Sequence, residues 1–538
     1  MSSALSALFD DLKDIVAQRT ELYQHLHRNP ELSMQEHDTA NTIDKELSDL
    51  GLETQRIGGT GVVAVITNGP GPTVLARADI DGLPVTENTG LDYTSEREGV
   101  MHACGHDMHM ATLFGAIDVL LQHRDAWSGT YIALFQPGEE KAAGAKAMVE
   151  DGLVDKIPTP DVCFGQHVMV FEAGHIGVVA GPVMSAADSV KITVHGRGAH
   201  GSLPQNSIDP VVIAATIVLR LQTLVSREIS PSDFGVVTVG ALNAGSSANI
   251  IPDKAELRLN LRTYDSAVRD KLVAGIDRIV QAECEAAGVE KEPEIEYYDQ
   301  FPLTTNDESL TERVAEAFEQ VFEDGQVFRS ARVPASEDFN IIPDAFGVPY
   351  HYWQLGGTDP KLFRSSLENG TLVENIPVNH SPGFAPVIDP TLEAGIKAHL
   401  AAALTYLGQD QAPPKLADRS CSPSRSERRD AVMLHGVNFT PETAVSVSQI
   451  VVMLLVATML GPWAKQVLAP QRRHRRHRWL QVTSWLSYFS KVFALFGLLI
   501  NMQAVSLLLV ALSHMGVFAL AQPDTAGRRR PRRALISQ

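Results

Sequence analysis

Gly61-Val62-Val63-Ala64-Val65-Ile66, Thr73-Val74-Leu75-Ala76 and Thr130-Tyr131-Ile132-Ala133-Leu134-Phe135 are short apolar runs bounded by Gly and Pro, with a helix-like stretch from Met108 to His123 before the third. Runs of this length and β-branched content read as strands covered on both faces. Helical spacing of apolar residues precedes them, from Ala4 to Leu26 and from Thr39 to Leu50. Strands separated by helices predict an α/β domain with a largely parallel sheet.

The texture changes near Ser185. Ser189 to His195 alternates as a half-buried strand does, Asp209 to Ser226 is a strongly apolar helix, Gly235 to Leu242 and Ala255 to Thr263 are further strands, and Ser266 to Ala287 is a second helix. That order predicts a small α+β module inserted into the first domain. After about Phe301 the pattern returns to a helix at Leu310 to Phe322 and short strands, closing with the helix Pro390 to Leu407. The expected division is a first domain at 1–185 and 300–408, an insert at 186–299, a Pro- and Ser-rich linker at 409–442 and a hydrophobic tail at 443–538.

Composition narrows the class. The chain has 538 residues, 44% of them hydrophobic, so it is long enough for more than one core. Its four cysteines are scattered and follow no disulfide pattern. The start, with Asp10 and Asp11 close behind Met1, carries no secretory signal, which sets a cytoplasmic location as the expectation for the folded body. The formal charge of −19 conceals an asymmetry: the segment from Asp410 onward holds 17 Lys and Arg against 6 Asp and Glu. The body before it is strongly acidic, which argues against nucleic-acid binding there.

The densest chemical signal is Met101-His102-Ala103-Cys104-Gly105-His106-Asp107-Met108-His109. Cys104 and His106 are two apart around a glycine that allows a sharp turn, so both can be aimed at one centre. Thiolate and imidazole are the donors that zinc-like ions prefer, and Asp107 is a candidate to orient a ligand. A His-rich loop around one buried Cys would read the same way. Glu139 and Glu140, after the strand and turn Phe135-Gln136-Pro137-Gly138, are the second signal. Adjacent carboxylates at a strand end point in different directions, so one can bind a metal while the other takes a proton from water. Most Glu-Glu pairs are solvated surface features.

These blocks stand in one order with His27-Arg28-Asn29-Pro30-Glu31-Leu32-Ser33, Arg77-Ala78-Asp79-Ile80-Asp81-Gly82-Leu83-Pro84, Gly196-Arg197-Gly198-Ala199-His200-Gly201-Ser202-Leu203-Pro204, Ser336-Glu337-Asp338-Phe339 and Asn379-His380-Ser381-Pro382. Over roughly residues 10–408 the chain resembles the aminoacylase and amidohydrolase family of dinuclear metallopeptidases, which includes hippurate hydrolase and indole-acetyl-amino-acid hydrolases. The resemblance implies a two-domain α/β metallopeptidase-like fold, with a catalytic domain carrying an inserted α+β lid that also makes a homodimer. It implies two divalent metal ions, Zn or Mn first and Co or Ni also accommodated, on Cys104, His106, Glu140, His167 and His380, with Cys104 bridging. Glu139 would be the general base and then the acid for the leaving amine. His200 would reach across the dimer to the partner's oxyanion, and Asn249 would contact substrate.

Read alone, His167 is a structural histidine at a strand end, His380 a loop histidine, and His200 and Asn249 turn residues among Gly and Pro. Asp79 would orient a ligand imidazole or cap a turn. The implied reaction is hydrolysis of N-acyl amino acids or related amide conjugates. The same machinery would serve an exopeptidase or dipeptidase, and a tethered scaffold that kept the fold without the chemistry is the rival from another class. Loss of a ligand would favour the scaffold, and none is missing.

The tail departs from the family. Thr443 to Ala464 is a run of 22 residues without a charge, and Val492 to Gln522 one of 31 with His514 as its single titratable side chain. Either is long enough to cross a bilayer, so residues 443–522 carry the expectation of membrane association. Arg472 to Arg478 and Arg528 to Arg533 are basic clusters after each run. Keeping both clusters on the cytoplasmic side would leave the body outside with no signal to export it. A tether facing the cytosol, a fused or mis-assembled reading frame and a buried helical domain are the three readings.

Overall fold

The computed structural model describes residues 8–9 and 12–408 of the chain. The linker expected at 409–442 and the hydrophobic tail expected at 443–538 lie outside the described residues.

The central element is an eight-stranded sheet whose strands lie in the order Thr54–Arg56, Val62–Asn68, Gly129–Gln136, Thr73–Asp79, Val162–Glu172, Tyr350–Thr358, Ile176–Val178 and Val327–Arg329. The middle four strands are mutually parallel. Val62–Asn68 runs antiparallel to Gly129–Gln136, and the sheet is mixed rather than largely parallel. The reason lies in the turn at residues 69–72, which is too short for a crossover and reverses the chain before the next strand.

Helix His106–Gln122 packs on this sheet and is buried on every side from His106 to Leu120, which explains its near-uniform apolar composition. The helices Leu12–Arg28 and Ile388–Leu407 cover it. Leu22, Leu26, Phe114, Ile117, Phe164, Leu392, Ile396 and Leu400 belong to the resulting core. A second layer on the opposite face joins Ile57, Leu75, Ile132, Met148 and Tyr352.

A separate four-stranded antiparallel sheet, in the order Gly235–Ala244, Lys254–Thr263, Ala186–His195 and Glu294–Phe301, has its own core. Burial alternates along Ala186–His195 and Lys254–Thr263, as period-two strands with one covered face require. The helices Pro210–Thr223 and Ser266–Ala286 supply the cover, with Ile213, Ile217, Leu221, Leu272, Ile276 and Val280 pointing inward. Their N-termini are capped by Asp209 and Asp265, whose carboxylates accept from the backbone N–H of Val211 and Val268. The strand Glu294–Phe301, not anticipated from the sequence, completes this sheet. Its apolar and charged residues do not alternate cleanly, and its pairing shifts between Tyr298 and Phe301.

The outer face of helix Pro210–Thr223 stays apolar: Val212 is 61% and Leu219 73% exposed. Among the described residues this helix and its extension to Glu228 form the one segment long and apolar enough to cross a membrane, yet its inner face is seated in the small core. Edge strand Gly235–Ala244 also exposes Val236 and Leu242.

Two buried histidines pack against Trp353, His351 stacked with ring centroids 6.0 Å apart and His399 edge-on at 5.4 Å. Burial lowers both from an ordinary value of 6.5 to about 3, and His351 Nε2 and His399 Nδ1 have no hydrogen-bond partner. The unfolded chain therefore takes up these protons below about pH 6.5 while the folded one resists until about 3. Stability should fall across that window as pH drops, by up to about 1.4 kcal/mol per pH unit for each ring. Urea midpoints between pH 7 and pH 4 measure it, and His399→Leu should reduce the slope by one proton's worth.

Candidate metal centre

The parallel strands end in the loops that carry the chemistry, as open α/β sheets generally arrange. Gly105, at φ 87°, turns the chain so that Cys104 precedes and His106 begins the buried helix. An L-residue is strained at that φ, so the glycine is what aims the two side chains together. Gly138, at φ 55°, does the same before Glu139 and Glu140, and a Cβ there would fall 2.4 Å from Met34 Sδ.

Donor atoms of Cys104, His106 and His167 lie within 4.8 Å of one another, as do those of Cys104, Glu140 and His380, and those of His106, Glu139 and Glu140. Cys104 is common to the first two groups. Its Sγ is 3.4 Å from His167 Nε2 and 3.3 Å from His380 Nε2, and His380 Nε2 is 3.2 Å from Glu140 Oε1. His167 Nδ1 donates to the carbonyl of Val168 at 2.8 Å, which leaves Nε2 as a lone pair facing Cys104. His106 Nδ1 is held by Asp81 at 3.2 Å, His106 Nε2 is buried without a hydrogen-bond partner, and Glu140 Oε1 accepts no hydrogen bond beyond its approach to His380 Nε2. Buried polar atoms are ordinarily paired. An imidazole nitrogen left open beside a carboxylate, a thiol and two more imidazoles fits a divalent ion with N, S and O donors.

Electrostatics agree with that fit. Burial opposes a proton on His106, but Asp79, Asp81 and Glu140 outweigh it and raise the ring to about 10. Burial, then the charges of Glu140 and Glu139, push the Cys104 thiol well above its usual range. Burial, then Glu337, Glu140 and Asp338, raise the Glu139 carboxyl well above the ordinary carboxylate range. A cluster this rich in negative potential favours a multivalent cation.

The surrounding shell departs from the sequence reading in three places. Asp107 does not orient a ligand imidazole. One step along the helix it lies about 100° around the axis from His106, and its carboxylate contacts His27 Nδ1 at 2.6 Å. Asp79 reaches His109 Nδ1 at 2.6 Å and is 3.6 Å from His106 Nε2. His109 is itself no free donor, because its Nε2 accepts from the N–H of Val168 at 2.9 Å. Asp81, unassigned from the sequence, is the residue that holds His106. It also accepts from Ser33 Oγ at 2.6 Å and from the backbone N–H of Glu139 and Glu140 at 3.2 and 3.1 Å. Alternation along Arg77, Asp79 and Asp81 was the available signal, since side chains two apart on an extended segment share a face.

Arg77 is fully buried and donates to Asp79, Gln136 and Glu337 at 2.6, 2.9 and 2.8 Å. Carboxylate oxygens of Glu139, Glu337 and Asp338 lie within 4.8 Å of one another, so this network borders the Glu139 side. Asn379 donates to the carbonyl of Val168 at 3.2 Å and fixes the loop of His380, a residue at φ 67°. His200 and Asn249 are elsewhere. His200 sits on the two-stranded ribbon of the small domain and Asn249 in the turn that leads into it, both exposed, with Ile250 paired opposite His200. His200 Nδ1 accepts from Ser202 N–H at 3.1 Å, and neither residue joins the cysteine and histidine cluster.

The profile of the peptidase family M20/M25/M40 matches residues 75–374, a span that contains every donor named above except His380. The chain belongs to that family. An N-acetyl-L-cysteine deacetylase of Bacillus subtilis is 38% identical over 343 residues, covering 62% of this chain and 81% of its own length. Thermostable carboxypeptidase 2 of Saccharolobus solfataricus is 34% identical over 405 residues, 74% of this chain and 98% of that enzyme. The crystal structure of a dinuclear metal binding M20 peptidase from Bacillus subtilis is similar with a TM-score of 0.58 at 29% identity, covering 73% of this chain and 99% of that one. The two-sheet architecture described above is thus the M20 fold.

Asp81→Asn should weaken divalent-metal affinity roughly 10- to 100-fold, the usual effect of removing a group that orients a ligand histidine. Competition against a chelating dye measures this. Because His106 and Cys104 must give up protons to bind, affinity should also fall as pH is lowered, and calorimetry in buffers of different ionisation enthalpy should show proton release.

Proposed function

We propose that this M20 chain is a metal-dependent amidohydrolase that cleaves N-acyl amino acids or related amide conjugates to a carboxylic acid and an amino acid. The observation that carries the reading is Cys104, shared between two donor groups, with the buried Glu139 carboxyl beside them, 3.9 Å from His106 Nε2.

In this reading Cys104, His106, Glu140, His167 and His380 hold two divalent ions, Zn or Mn in the first place, with Co or Ni also accepted by such donors. When bound, the ions supply Lewis-acid polarisation of the amide carbonyl and lower the pKa of the attacking water. Glu139 takes the proton of that water and returns it to the departing nitrogen, the division of labour that two adjacent carboxylates allow. Asp81 fixes both ends of the arrangement, the His106 ring and the backbone of the Glu139–Glu140 turn. The names of the deacetylase and carboxypeptidase relatives both describe scission of a C–N bond next to an amino acid. The second of them keeps an exopeptidase acting on short peptides as the alternative.

His200 and Asn249 act from a second copy of the chain. Support comes from the exposure of Leu203 and Ile250 around His200 and from the apolar face of Val211, Val212 and Leu219 beside an unpaired strand edge. Exposed edges and apolar faces of this kind are completed by association. The small domain then serves as lid and dimer contact together, and Asn249 touches the substrate.

Purified full-length protein, loaded with Zn or Mn, is tested on N-acetyl, N-benzoyl and indole-acetyl amino acids and on dipeptides. Metal-dependent release of an amino acid is expected, with Glu139→Gln slower by about 10²- to 10⁴-fold. Metal binding without turnover of any substrate would overturn the reading in favour of a scaffold. His200→Ala should cost about 10²- to 10³-fold in kcat. Mixing it with Glu139→Gln should restore activity through mixed dimers, and no recovery after subunit exchange would remove the second copy from the site.

A further inference from the structure

Glu36 stands at the N-cap position of helix His37–Asp49, where a side-chain oxygen ordinarily accepts from the first N–H groups of its own helix. Its carboxyl does not serve that helix. Glu31 does so instead, with Oε2 accepting from the N–H of Thr39 at 2.8 Å. The Glu36 carboxyl is fully buried and reaches across to the glutamate turn. Its Oε1 accepts from the N–H of Gly138 at 2.8 Å and from that of Met34 at 2.7 Å, and its Oε2 pairs with the Thr60 hydroxyl at 2.6 Å. Burial raises this carboxyl above its ordinary value and the Thr60 hydroxyl lowers it. Oε1 can take both N–H groups whether or not Oε2 carries a proton.

Gly138 is the last residue before Glu139, and both of its backbone polar groups are fixed. The N–H goes to Glu36, and the carbonyl accepts from the N–H groups of Ala143 and Gly144, each at 3.2 Å. The turn is closed too tightly to drift: a Cβ on Gly144 would fall 1.4 Å from the carbonyl oxygen of Pro137. Met34, at φ 64°, lays its thioether over Gly138 while its N–H is held by the same Glu36 oxygen. The stretch from Ser33 to Glu36 therefore reaches the site twice, through Ser33 to Asp81 and through Glu36 to Gly138. The two carboxyls divide the work. Asp81 holds the N–H groups of Glu139 and Glu140 together with the His106 ring, whereas the hydrogen bonds of Glu36 reach none of the proposed ligands.

We propose that Glu36 is a positioning residue, which sets the direction in which the Glu139 side chain leaves the turn by fixing the Gly138 peptide. The role rests on Glu139 being the base of the proposed hydrolysis. A reacting group displaced by about 1 Å can cost about 10²-fold in rate. Methionine at position 36 matches the length of the side chain but offers no oxygen. It leaves the N–H groups of Gly138 and Met34 without an acceptor, and a buried donor in that state draws the backbone toward another partner.

The test uses the full-length, metal-loaded protein. Glu36→Met should lower kcat about 10- to 100-fold, with KM and metal affinity unchanged. Glu36→Gln keeps an oxygen for the two N–H groups and an amide for Thr60, and should restore kcat. Thr60→Val removes a bond from the same carboxyl but not from Gly138, so it should lower Tm and leave kcat within about twofold of the wild type. Amide hydrogen exchange in the peptide covering residues 137–144 should speed up in Glu36→Met. Where Glu36→Met fails to fold, Glu36→Asp, with its carboxyl drawn back from Gly138, takes its place. Exchange unchanged in that peptide would overturn the role. So would a loss of kcat in Thr60→Val as large as that in Glu36→Met, which would leave Glu36 a matter of stability alone, or a loss of metal affinity in Glu36→Met like that expected of Asp81→Asn. A wild type that hydrolyses nothing overturns the proposed function and the role with it. A wild type that turns over, with Glu36→Met equal to it, overturns the role alone.

Discussion

The Asp81 carboxylate is the constraint on which the site depends. It gathers a hydroxyl from residue 33, an imidazole from residue 106 and two backbone N–H groups from residues 139 and 140 onto two oxygen atoms. Each partner comes from a different stretch of chain, and each is buried or nearly so. A buried carboxylate is tolerable when enough donors surround it, and here the donors are the very groups whose positions matter. Remove the carboxylate and the turn at Ser33, the buried helix and the glutamate turn lose their common reference.

Around it the interior is unusually charged. Arg77, Asp79, Glu337 and Asp338 are all inaccessible, with the Arg77 guanidinium set among the three acids. Such networks seldom add stability relative to an apolar core, because desolvation offsets attraction. Their value is geometric. The Arg77 fork and Tyr352 hydroxyl leave Glu337 a single orientation, and Gln136 with the Ala145 N–H does the same for Asp338.

Much of this was legible in the linear sequence. The strands at 62–68, 73–79 and 129–136 announced themselves because residues covered on both faces must be apolar throughout, and the change to alternation after Ser185 marked a sheet with one open face. Cys104 and His106 were visible as a thiol and an imidazole on either side of a turn-permitting glycine, a pattern shared with a His-rich loop around one buried Cys. His167 and His380 were not visible locally. Their roles depend on strand Val162–Glu172 and the loop at Asn379 meeting over the Cys104 turn, a long-range contact that no local pattern encodes. The part given to Asp107 shows the converse error: proximity in sequence to His106 suggested a shared task, while helical geometry turned it to His27. The mixed sheet was misread for a related reason, since strand direction depends on what lies between strands and not on the strands.

The small sheet leaves and rejoins the larger body through neighbouring strands, with Ala187 paired to Phe301. An excursion of more than a hundred residues therefore opens and closes at almost one point. A module attached this way behaves as a cassette. Its loops can lengthen and its outer face can change partners without disturbing the strands of the larger sheet. Diversification of the small domain's loops and outer face can thus proceed in one part of the chain while the strands around Cys104 and His106 are inherited unchanged in the other.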